Sequence, residues 1–421
     1  MKRALVLSGG GARGAYELGA WQALDEIGIA FHAVYGTSIG AINAGLFAQG
    51  DLQKAKALWS DISMKKIVAT NEEEFSIDFN FSSKHDILPF LLDNLNHLRM
   101  DITPLETKVH DNIDEGRLRA SGMTLGIMAV TLPQFTPVPM RLSDMAEGSA
   151  ADWLIASASC YPIFQPKWIG RQRYIDGGYF DNLPLDMAIE DGADEIVAID
   201  IHPVPAHAEY AQMPFLKLIH PRKTLSGFLN FKQELLDRMR RMGYYDTMKA
   251  YDRLEGIRYT FQREDALKTA LPAERYLRAV ARFDAESIKR RVFHAGQVQR
   301  APLITALCQE TPERALTRRE VWLRGMELCA ERMGFREDAI YLPEELTRRM
   351  LNYVRQTSPD VSPIVAPEAL QALGSRALIR AMVHTISERG SIPPELVNAF
   401  AAYPEETAAA LWLCCAEGKS A

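Results

Sequence analysis

The chain has 421 residues, of which 47% are apolar and 24% are charged, as in ordinary soluble globular proteins. This length predicts two or three domains with enough sequence for a buried core, and the composition excludes a disordered or fibrous protein. The 48 basic and 54 acidic side chains give a formal charge of −6, which excludes the strongly basic surface of a dedicated nucleic-acid binder. We therefore expect no nucleic acid among the partners.

The beginning of the chain does not have the pattern of a signal peptide. Lys2 and Arg3 are followed by only four apolar residues before Ser8, which is too short for the apolar region of such a peptide. The longest span without charges, residues 27–50, contains several glycines and polar residues and does not predict a membrane helix. We expect a cytoplasmic protein whose contact with membranes is at most peripheral.

Two strand–turn–helix units open the chain. Residues 4–7 and 33–35 are short apolar runs, and each is followed by glycines and then by a helical pattern, over residues 16–27 and 41–49. Buried strands are also predicted at residues 123–131 and 195–201, the second preceded by a helix over residues 185–190. Because parallel strands are joined by crossover helices, we predict an α/β domain over residues 1–210 with a mainly parallel central sheet.

The segment 62–105 is expected to be an insertion in this domain that packs beside the site and forms one wall of a substrate cleft. It contains residues 87–98, which are apolar at helical spacing, and an alternating run of apolar and polar positions, whose apolar members are Phe75, Ile77, Phe79 and Phe81.

The last half of the chain is predicted to be mostly helical. Residues 202–220 contain three prolines and three histidines and indicate a loop. Residues 211–264 are expected to be a helical extension on the catalytic domain, with an apolar stripe over residues 224–254 that favours core packing over membrane contact. Residues 265–421 predict an α-helical second domain whose helices are separated by prolines, namely Pro272, Pro302, Pro312, Pro343, Pro363 and Pro393.

A glycine-rich loop, G-G-G-A-R-G, follows the first strand at residues 9–14. Its backbone N–H groups can converge on an anion at the N-terminus of the next helix. The candidate anion-binding residues are Gly9, Gly10, Gly11, Arg13 and Gly14, with Gly10 and Gly11 as donors and Arg13 as a brace bonded to carbonyls. Dinucleotide-binding folds share the G-x-G-x-x-G pattern but need an acidic residue after the second strand, so nucleotide binding by this loop is only the alternative.

The second strand is followed by G-x-S-x-G, the pattern of a nucleophile elbow, with Ser38 between Gly36 and Gly40. The glycines relieve crowding at the sharp turn and let the next helix approach closely. A serine that attacks an ester carbonyl creates an oxyanion, which N–H donors in the neighbouring loop would stabilise. The two motifs therefore fit a single serine hydrolase site, and the alternative is two ordinary tight turns.

A nucleophilic serine also needs a base. Residues 173–184, R-Y-I-D-G-G-Y-F-D-N-L-P, predict a short strand that ends in Asp176, followed by Gly177 and Gly178, which permit a close approach of the backbone. We choose Asp176 as the candidate base. The alternative is an ordinary aspartate in an Asp-Gly turn.

These three motifs, in this order, resemble the patatin-like phospholipases, a family of serine acyl hydrolases. Residues 156–164, A-S-A-S-C-Y-P-I-F, and residues 176–184 also look like segments of that family. The resemblance covers residues 3–205 and does not explain the C-terminal 160 residues. It implies a three-layer α/β/α domain.

The resemblance further implies a catalytic dyad in which Ser38 is the nucleophile, Asp176 is the general base and the glycine loop is the oxyanion hole. The implied reaction is hydrolysis of a lipid acyl ester, of phospholipase A or lysophospholipase type, through an acyl-enzyme and without a metal or cofactor. Desolvation is expected to raise the basicity of Asp176. His202 follows a later strand and is expected to be a bystander. An acyltransferase with the same dyad stays open as an alternative.

We expect two kinds of partner, a lipid substrate and a protein. The substrate would be a phospholipid, a lysophospholipid or another acyl ester, presented at a membrane surface that the protein touches peripherally. The helical C-terminal domain could recruit a protein partner, without which the hydrolase would be latent.

Overall fold

The computed structural model describes residues 1–69, 100–205, 207, 210, 213–290, 293–294, 297–298, 301–311, 314–355 and 374–418. The chain divides into two compact units, Met1–Tyr251 and Asp252–Ala421. Their boundary falls inside the segment 211–264 for which the sequence predicts a helical extension. Phe75, Ile77, Phe79, Phe81 and residues 87–98 of the expected insertion lie outside the described residues, so the cleft wall stays a prediction.

Within its described residues, the first unit is built on an eight-stranded sheet with the order β5-β6-β3-β2-β1-β7-β8, and β4 pairs with β3. The pairs from β3 through β2, β1 and β7 to β8 are parallel, while β4, β5 and β6 pair in antiparallel fashion. The strands are β1 (Arg3–Leu7), β2 (Ala33–Thr37), β3 (Thr124–Leu132), β4 (Pro137–Arg141), β5 (Lys167–Ile169), β6 (Gln172–Asp176), β7 (Glu195–Ile199) and β8 (Leu216–Ile219).

Helices cover both faces of this sheet, as the apolar character of its parallel strands requires. Successive residues of a strand point to opposite faces. Leu5 and Leu7 of β1 pack in one cluster with helices on one face, and Ala4 and Val6 pack in another with Leu185 on the other face. The predicted α/β class with a mainly parallel sheet is confirmed, and the unit has three layers.

The helices of the first unit connect the strands and cover the sheet. Their bounds are α1 (Gly14–Ile27), α2 (Ile39–Ala48), α3 (Leu52–Asp61), α4 (Thr103–Asn112), α5 (Glu115–Ala120), α6 (Ala150–Ser157), α7 (Leu185–Glu190) and α8 (Gln233–Ala250). No helix in the described part of the chain is both long enough and apolar enough to cross a membrane.

Two expectations for residues 202–254 were wrong. The expected loop contains β8, which extends the sheet beyond β7; its four residues are too few to give a periodic signal. The helix expected from residue 224 begins only at Gln233, because the carbonyls of Ser226 and Phe228 accept hydrogen bonds from the glycine loop instead of from a helix. The apolar stripe of α8 is core, since Leu236 and Met239 are buried in the main cluster.

The second unit is mainly helical, as expected. It also contains short strands, β9 (Leu254–Glu255), β10 (Thr260–Gln262), β11 (Phe293–His294), β12 (Gln297–Val298) and β13 (Ile340–Tyr341). Its helices are α9 (Ala266–Lys289), α10 (Pro302–Cys308), α11 (Arg318–Arg332), α12 (Pro343–Arg355), α13 (Ser375–Arg389), α14 (Val397–Ala401) and α15 (Pro404–Ala416). Its apolar cluster is formed by residues from Tyr259 onward and is separate from the clusters of the first unit.

One predicted helix break in the second unit was wrong. Pro302 and Pro343 begin helices, where a missing N–H is tolerated, but Pro272 lies inside the 24-residue helix α9. An internal proline removes one helical hydrogen bond and disfavours the helix. Here the helix continues because its following turns bury Tyr276 and Phe283 in the core of the unit.

Candidate active site

Ser38 lies at the sharp turn between β2 and α2. Its φ of 57° and ψ of −127° place a non-glycine residue in a strained conformation. The flanking glycines explain how the turn is accommodated, since a Cβ on Gly36 would lie 2.3 Å from the carbonyl oxygen of Gly40, and a Cβ on Gly40 would lie 2.6 Å from that of Leu7. The turn has the geometry expected of a nucleophile elbow.

Strand register brings Asp176 to Ser38. Thr37, the last residue of β2, pairs with Met128 of β3, and Asp176, the last residue of β6, pairs with the next residue, Ala129. Strand β4 pairs along the opposite edge of β3. Strands β2 and β6 therefore share the remaining edge of β3, and their carboxyl ends meet there. The Ser38 hydroxyl donates a hydrogen bond of 2.6 Å to Asp176 Oδ2.

The surroundings of Asp176 make it more basic than an exposed aspartate. The side chain is only 6% exposed, and this burial raises its pKa from 3.8 to about 6, against the opposing effect of hydrogen bonds from Ser38 and Gly178. The Gly178 N–H donates to Oδ1 at 2.8 Å. Gly177 has no room for a side chain, because a Cβ there would lie 2.2 Å from the carbonyl oxygen of Met128. The expected effect of desolvation is thus present.

The glycine loop lies directly beside the serine. A Cβ on Gly9 would be 2.9 Å from the Cβ of Ser38. The Gly9 N–H donates to the carbonyl of Asn182 at 3.0 Å, whereas the N–H groups of Gly10 and Gly11 have no acceptor among the described residues. Gly10 and Gly11 are the two residues whose N–H groups the sequence indicated as candidate donors.

A connection from residues 224–232 braces the other side of this loop. Arg13 Nε donates to the carbonyl of Ser226 at 2.8 Å, and the Ala12 N–H donates to the carbonyl of Phe228 at 2.7 Å. Gly11 has a φ of +59°, and a Cβ there would lie 2.2 Å from the Phe228 oxygen, so only glycine fits. Arg13 is therefore a brace, as expected, although the carbonyl it binds is distant in sequence.

Ser157, to which the sequence motifs assigned no function, lies behind Ser38. Its hydroxyl is fully buried, accepts the Ser38 N–H at 3.0 Å and donates to the carbonyl of Met128 at 2.7 Å. Close by, the carbonyl of Ser159 accepts the Asp176 N–H at 2.9 Å. The segment 156–164 thus fixes the backbone of both partners, and its likeness to a family segment was the available signal.

A second buried connection links the first two helices behind the site. Asn43 of α2 donates to the carbonyl of Gly14 at 3.1 Å and to the carboxyl of Glu17 at 2.7 Å, and it accepts from Trp59 Nε1 at 3.0 Å. Burial raises the pKa of Glu17 well above its ordinary value, which favours the neutral acid. Gly14 therefore connects the glycine loop to the helix that carries Ser38.

Among the described residues, His202 makes no hydrogen bond to Ser38 or Asp176. Its Nδ1 lies 2.8 Å from Asp200 Oδ1, and Asp200 is fully buried. His207 Nε2 lies 3.1 Å from Asp181, whose carbonyl accepts the Thr37 hydroxyl. The Ser38 hydroxyl is bonded to a carboxylate and not to an imidazole.

A parallel α/β sheet that carries a serine at a strand-to-helix elbow is the architecture of serine hydrolases. Residues 5–189 match the family model described as patatin-like phospholipase. The chain therefore carries a patatin-like phospholipase domain, as its motifs indicated.

Relatives of this chain share its first half. The rat protein named patatin-like phospholipase domain-containing protein 7 is 29% identical over 206 residues, which cover 47% of this chain and 13% of the rat protein. Lysophospholipase NTE1 of Cryptococcus neoformans is 28% identical over 219 residues, covering 47% and 11%. The chain thus matches only a small part of these longer relatives. VipD from Legionella pneumophila aligns over 98% of this chain and 90% of its own, with 14% identity and a TM-score of 0.40.

Proposed function

We propose that the first unit is a serine acyl-ester hydrolase that acts on lipid esters of the phospholipid or lysophospholipid type. The observation that carries the proposal is the 2.6 Å hydrogen bond from Ser38 to the buried carboxylate of Asp176. The family match and the lysophospholipase name of a relative support lipid as the source of the ester.

Asp176 would act as the general base in the first step. Its carboxylate removes the hydroxyl proton of Ser38 while the serine Oγ attacks the ester carbonyl carbon. A carboxylate with a pKa of about 6 is ionised at neutral pH and is a better proton acceptor than one at 3.8, because the pKa of an effective base lies near the working pH.

The developing oxyanion would accept hydrogen bonds from the N–H groups of Gly10 and Gly11. Neither donor has an acceptor among the described residues, and the loop is braced by Arg13, so the donors need little reorganisation. A donor of this kind contributes about 3 kcal/mol to transition-state stabilisation.

Collapse of the first tetrahedral intermediate would break the ester C–O bond. The proton on Asp176 passes to the departing alcohol or lysolipid oxygen, which leaves an acyl group on Ser38. Water then attacks the acyl-enzyme, Asp176 takes a proton from that water, and the fatty acid is released as the proton returns to Ser38.

The test is a comparison of four variants of the full chain. Each is treated with a fluorophosphonate and analysed by intact mass, and each is assayed for fatty acid release from phosphatidylcholine and lysophosphatidylcholine. Ser38→Ala should lose both the adduct and the release, and Asp176→Asn should lose the release. The exposed neighbours Ser143 and Asp144 supply matched controls, Ser143→Ala and Asp144→Asn, which should behave as wild type.

Three outcomes separate the alternatives. An adduct on wild type that persists in Ser38→Ala would contradict the proposed nucleophile. Transfer of the acyl group to an added alcohol in preference to water would indicate an acyltransferase with the same dyad. Absence of an adduct on folded wild type, with a nucleotide bound instead, would indicate that the glycine loop binds a phosphate and does not catalyse.

A further inference from the structure

Two hairpins extend the sheet beyond the dyad. The β3–β4 turn spans residues 133–136 and the β5–β6 turn spans Gly170 and Arg171. They are neighbours, because Leu132 pairs with Arg173 and accepts a hydrogen bond of 2.9 Å from Gln172 Nε2. Both turns lie at the carboxyl end of β3, the end at which β2 delivers Ser38. We call the surface formed by the exposed Phe135, Trp168 and Arg171 and the half-buried Arg173 the hairpin surface.

The hairpin surface exposes large aromatic side chains. Trp168 is 61% exposed on the edge strand β5, and Phe135 is 52% exposed in the β3–β4 turn. Single exposed apolar residues are common on protein surfaces. Here two of them lie on adjoining hairpins at the active-site end of the sheet, with the exposed Pro133 beside them.

The charges of the same hairpins are all positive. Residues 132–141 and 165–174 contain three arginines and one lysine but no aspartate or glutamate. Arg141 pairs with Asp191, and Lys167 pairs with acidic residues of neighbouring helices. Arg171 and Arg173 have no carboxylate partner among the described residues, and the Arg173 guanidinium lies 5.6 Å from the centre of the Trp168 ring. The surface therefore carries two unneutralised guanidinium groups in a chain with a formal charge of −6.

This combination matches the chemistry of an anionic phospholipid surface. Tryptophan partitions into the interfacial region of a bilayer, and arginine forms bidentate hydrogen bonds with phosphate. Asp176 lies four residues along β6 from Gln172, or about 13 Å at the rise of an extended strand.

We propose that the hairpin surface docks the first unit on an anionic phospholipid bilayer, with Trp168 in the interface and Arg171 and Arg173 on headgroup phosphates. The orientation brings the carboxyl end of the sheet, with Ser38, toward the lipid. The inference that this docking serves lipid hydrolysis rests on the proposed function. The binding itself does not require catalysis.

The experiment therefore uses the full chain with Ser38→Ala, so that lipid is not consumed. Co-sedimentation is measured with phosphatidylcholine vesicles that either contain or lack about one third phosphatidylglycerol. Arg171→Gln with Arg173→Gln should weaken binding to the anionic vesicles by about twenty-five-fold, at about fivefold per basic residue. Lys54→Gln with Lys56→Gln, on helix α3, removes the same charge from the same unit and should weaken binding by less than about twofold.

Brominated phospholipid provides a readout of insertion. Bromine should quench part of the tryptophan fluorescence of the bound protein, and Trp168→Phe should remove that part while the protein still binds. Any of three results would overturn the proposal. The two double variants could bind equally well, the protein could fail to bind anionic vesicles, or the quenching could be unchanged in Trp168→Phe. Binding to polyglutamate in place of vesicles would assign the surface to an acidic protein. Absence of a fluorophosphonate adduct on Ser38 of the wild-type protein, measured separately, would refute the proposed function without affecting these binding results.

Discussion

Asp176 combines two properties that oppose each other. Burial makes the carboxyl a stronger base, but a buried carboxylate costs folding free energy. The rise of its pKa from 3.8 to about 6 means that the folded protein holds this proton more tightly than the unfolded chain. The contribution of this carboxyl group to the free energy of unfolding is therefore fully present below about pH 4 and is lost as the pH rises through about 6.

Asp176→Asn should consequently be inactive and yet more stable than wild type at about pH 8. A pKa rise from 3.8 to about 6 corresponds to up to about 3 kcal/mol, at 1.36 kcal/mol per pKa unit. The amide oxygen can still accept the Gly178 N–H. Urea unfolding at about pH 8 and about pH 4 measures the difference, which should vanish at the lower pH. A variant less stable than wild type at pH 8 would refute this account of Asp176.

Ser157 is predicted to be a positioning residue for the nucleophile. Ser157→Ala removes the acceptor of the Ser38 N–H, so the strained turn loses a hydrogen bond that holds its backbone in place. We expect kcat to fall by at least about tenfold with KM nearly unchanged, because misplacing a reacting atom affects the transition state more than binding. Steady-state kinetics with lysophosphatidylcholine measure this.

Ser159→Ala is the matched control for that prediction. Ser159 is as buried as Ser157, and among the described residues its hydroxyl bonds only to the carbonyl of Ile155, 2.8 Å away on helix α6. Both variants should lose about 1 kcal/mol of stability, but only Ser157→Ala should lose kcat. Equal loss of kcat in the two variants would mean that the whole segment acts structurally.

At the scale of the element, helices α1 and α8 pack with almost no space between their backbones. A Cβ on Gly243 would lie 1.9 Å from the carbonyl oxygen of Tyr16, and one on Gly19 would lie 1.8 Å from that of Arg240. The glycine loop opens α1, and the connection that leads into α8 braces this loop. The packing of the two helices therefore supports the glycine loop.

Gly243→Ala should force these helices apart. Overpacking of this kind costs about 1–3 kcal/mol or more, and we expect labelling of Ser38 by the fluorophosphonate to slow as the loop shifts. Thermal unfolding and labelling rate measure the two effects. Gly116→Ala in α5 is the control, since its Cβ would meet only the side chain of Asp114; it should change stability by less than about 1 kcal/mol. Similar effects of the two substitutions would contradict the close packing.

The strands and helices that adjoin the motifs of the first unit could be predicted because their signals are local. The apolar run before Ser38 became β2, and the run before the glycine loop became β1. Strand β4 contains two prolines at the sheet edge and β8 has four residues, so neither gave a pattern. The register that places Asp176 beside Ala129 depends on pairing across more than forty residues, which no local pattern contains.

The residues of the candidate site that lie in local motifs could be predicted, but their contacts with distant parts of the chain could not. Glycine spacing indicated Ser38 and the candidate donors Gly10 and Gly11, because strained turns and close approach leave few choices of residue. The brace from Ser226 to Arg13 spans more than two hundred residues, and the acceptor role of Ser157 depends on the fold around β3. Contacts of this kind become visible only when the chain is folded.

For the whole molecule, all groups assigned to the chemistry belong to the first unit. The loop and helix that brace the glycine loop end at residue 250, before the boundary at Tyr251 and Asp252. Residues 1–251 alone should therefore fold and retain labelling of Ser38. Residues 1–210 alone should not fold stably, because that piece lacks α8 and exposes the face of α1 that packs on it.

Circular dichroism and intact mass after fluorophosphonate treatment compare the two pieces with the full chain. Loss of labelling in folded 1–251 would show that the helical unit is required for activity, as expected of a hydrolase that is latent without its second domain or a partner. Stable folding and labelling of 1–210 would contradict the bracing by residues 224–250.

The rate of fluorophosphonate labelling as a function of pH tests most directly whether Asp176 activates Ser38. For wild type, we expect a rate that rises with an apparent pKa of about 6 and then levels off. Asp176→Asn should label at least about a hundredfold more slowly, without that transition. A wild-type rate that is flat through this range, or an Asp176→Asn variant that labels as fast as wild type, would contradict the claim.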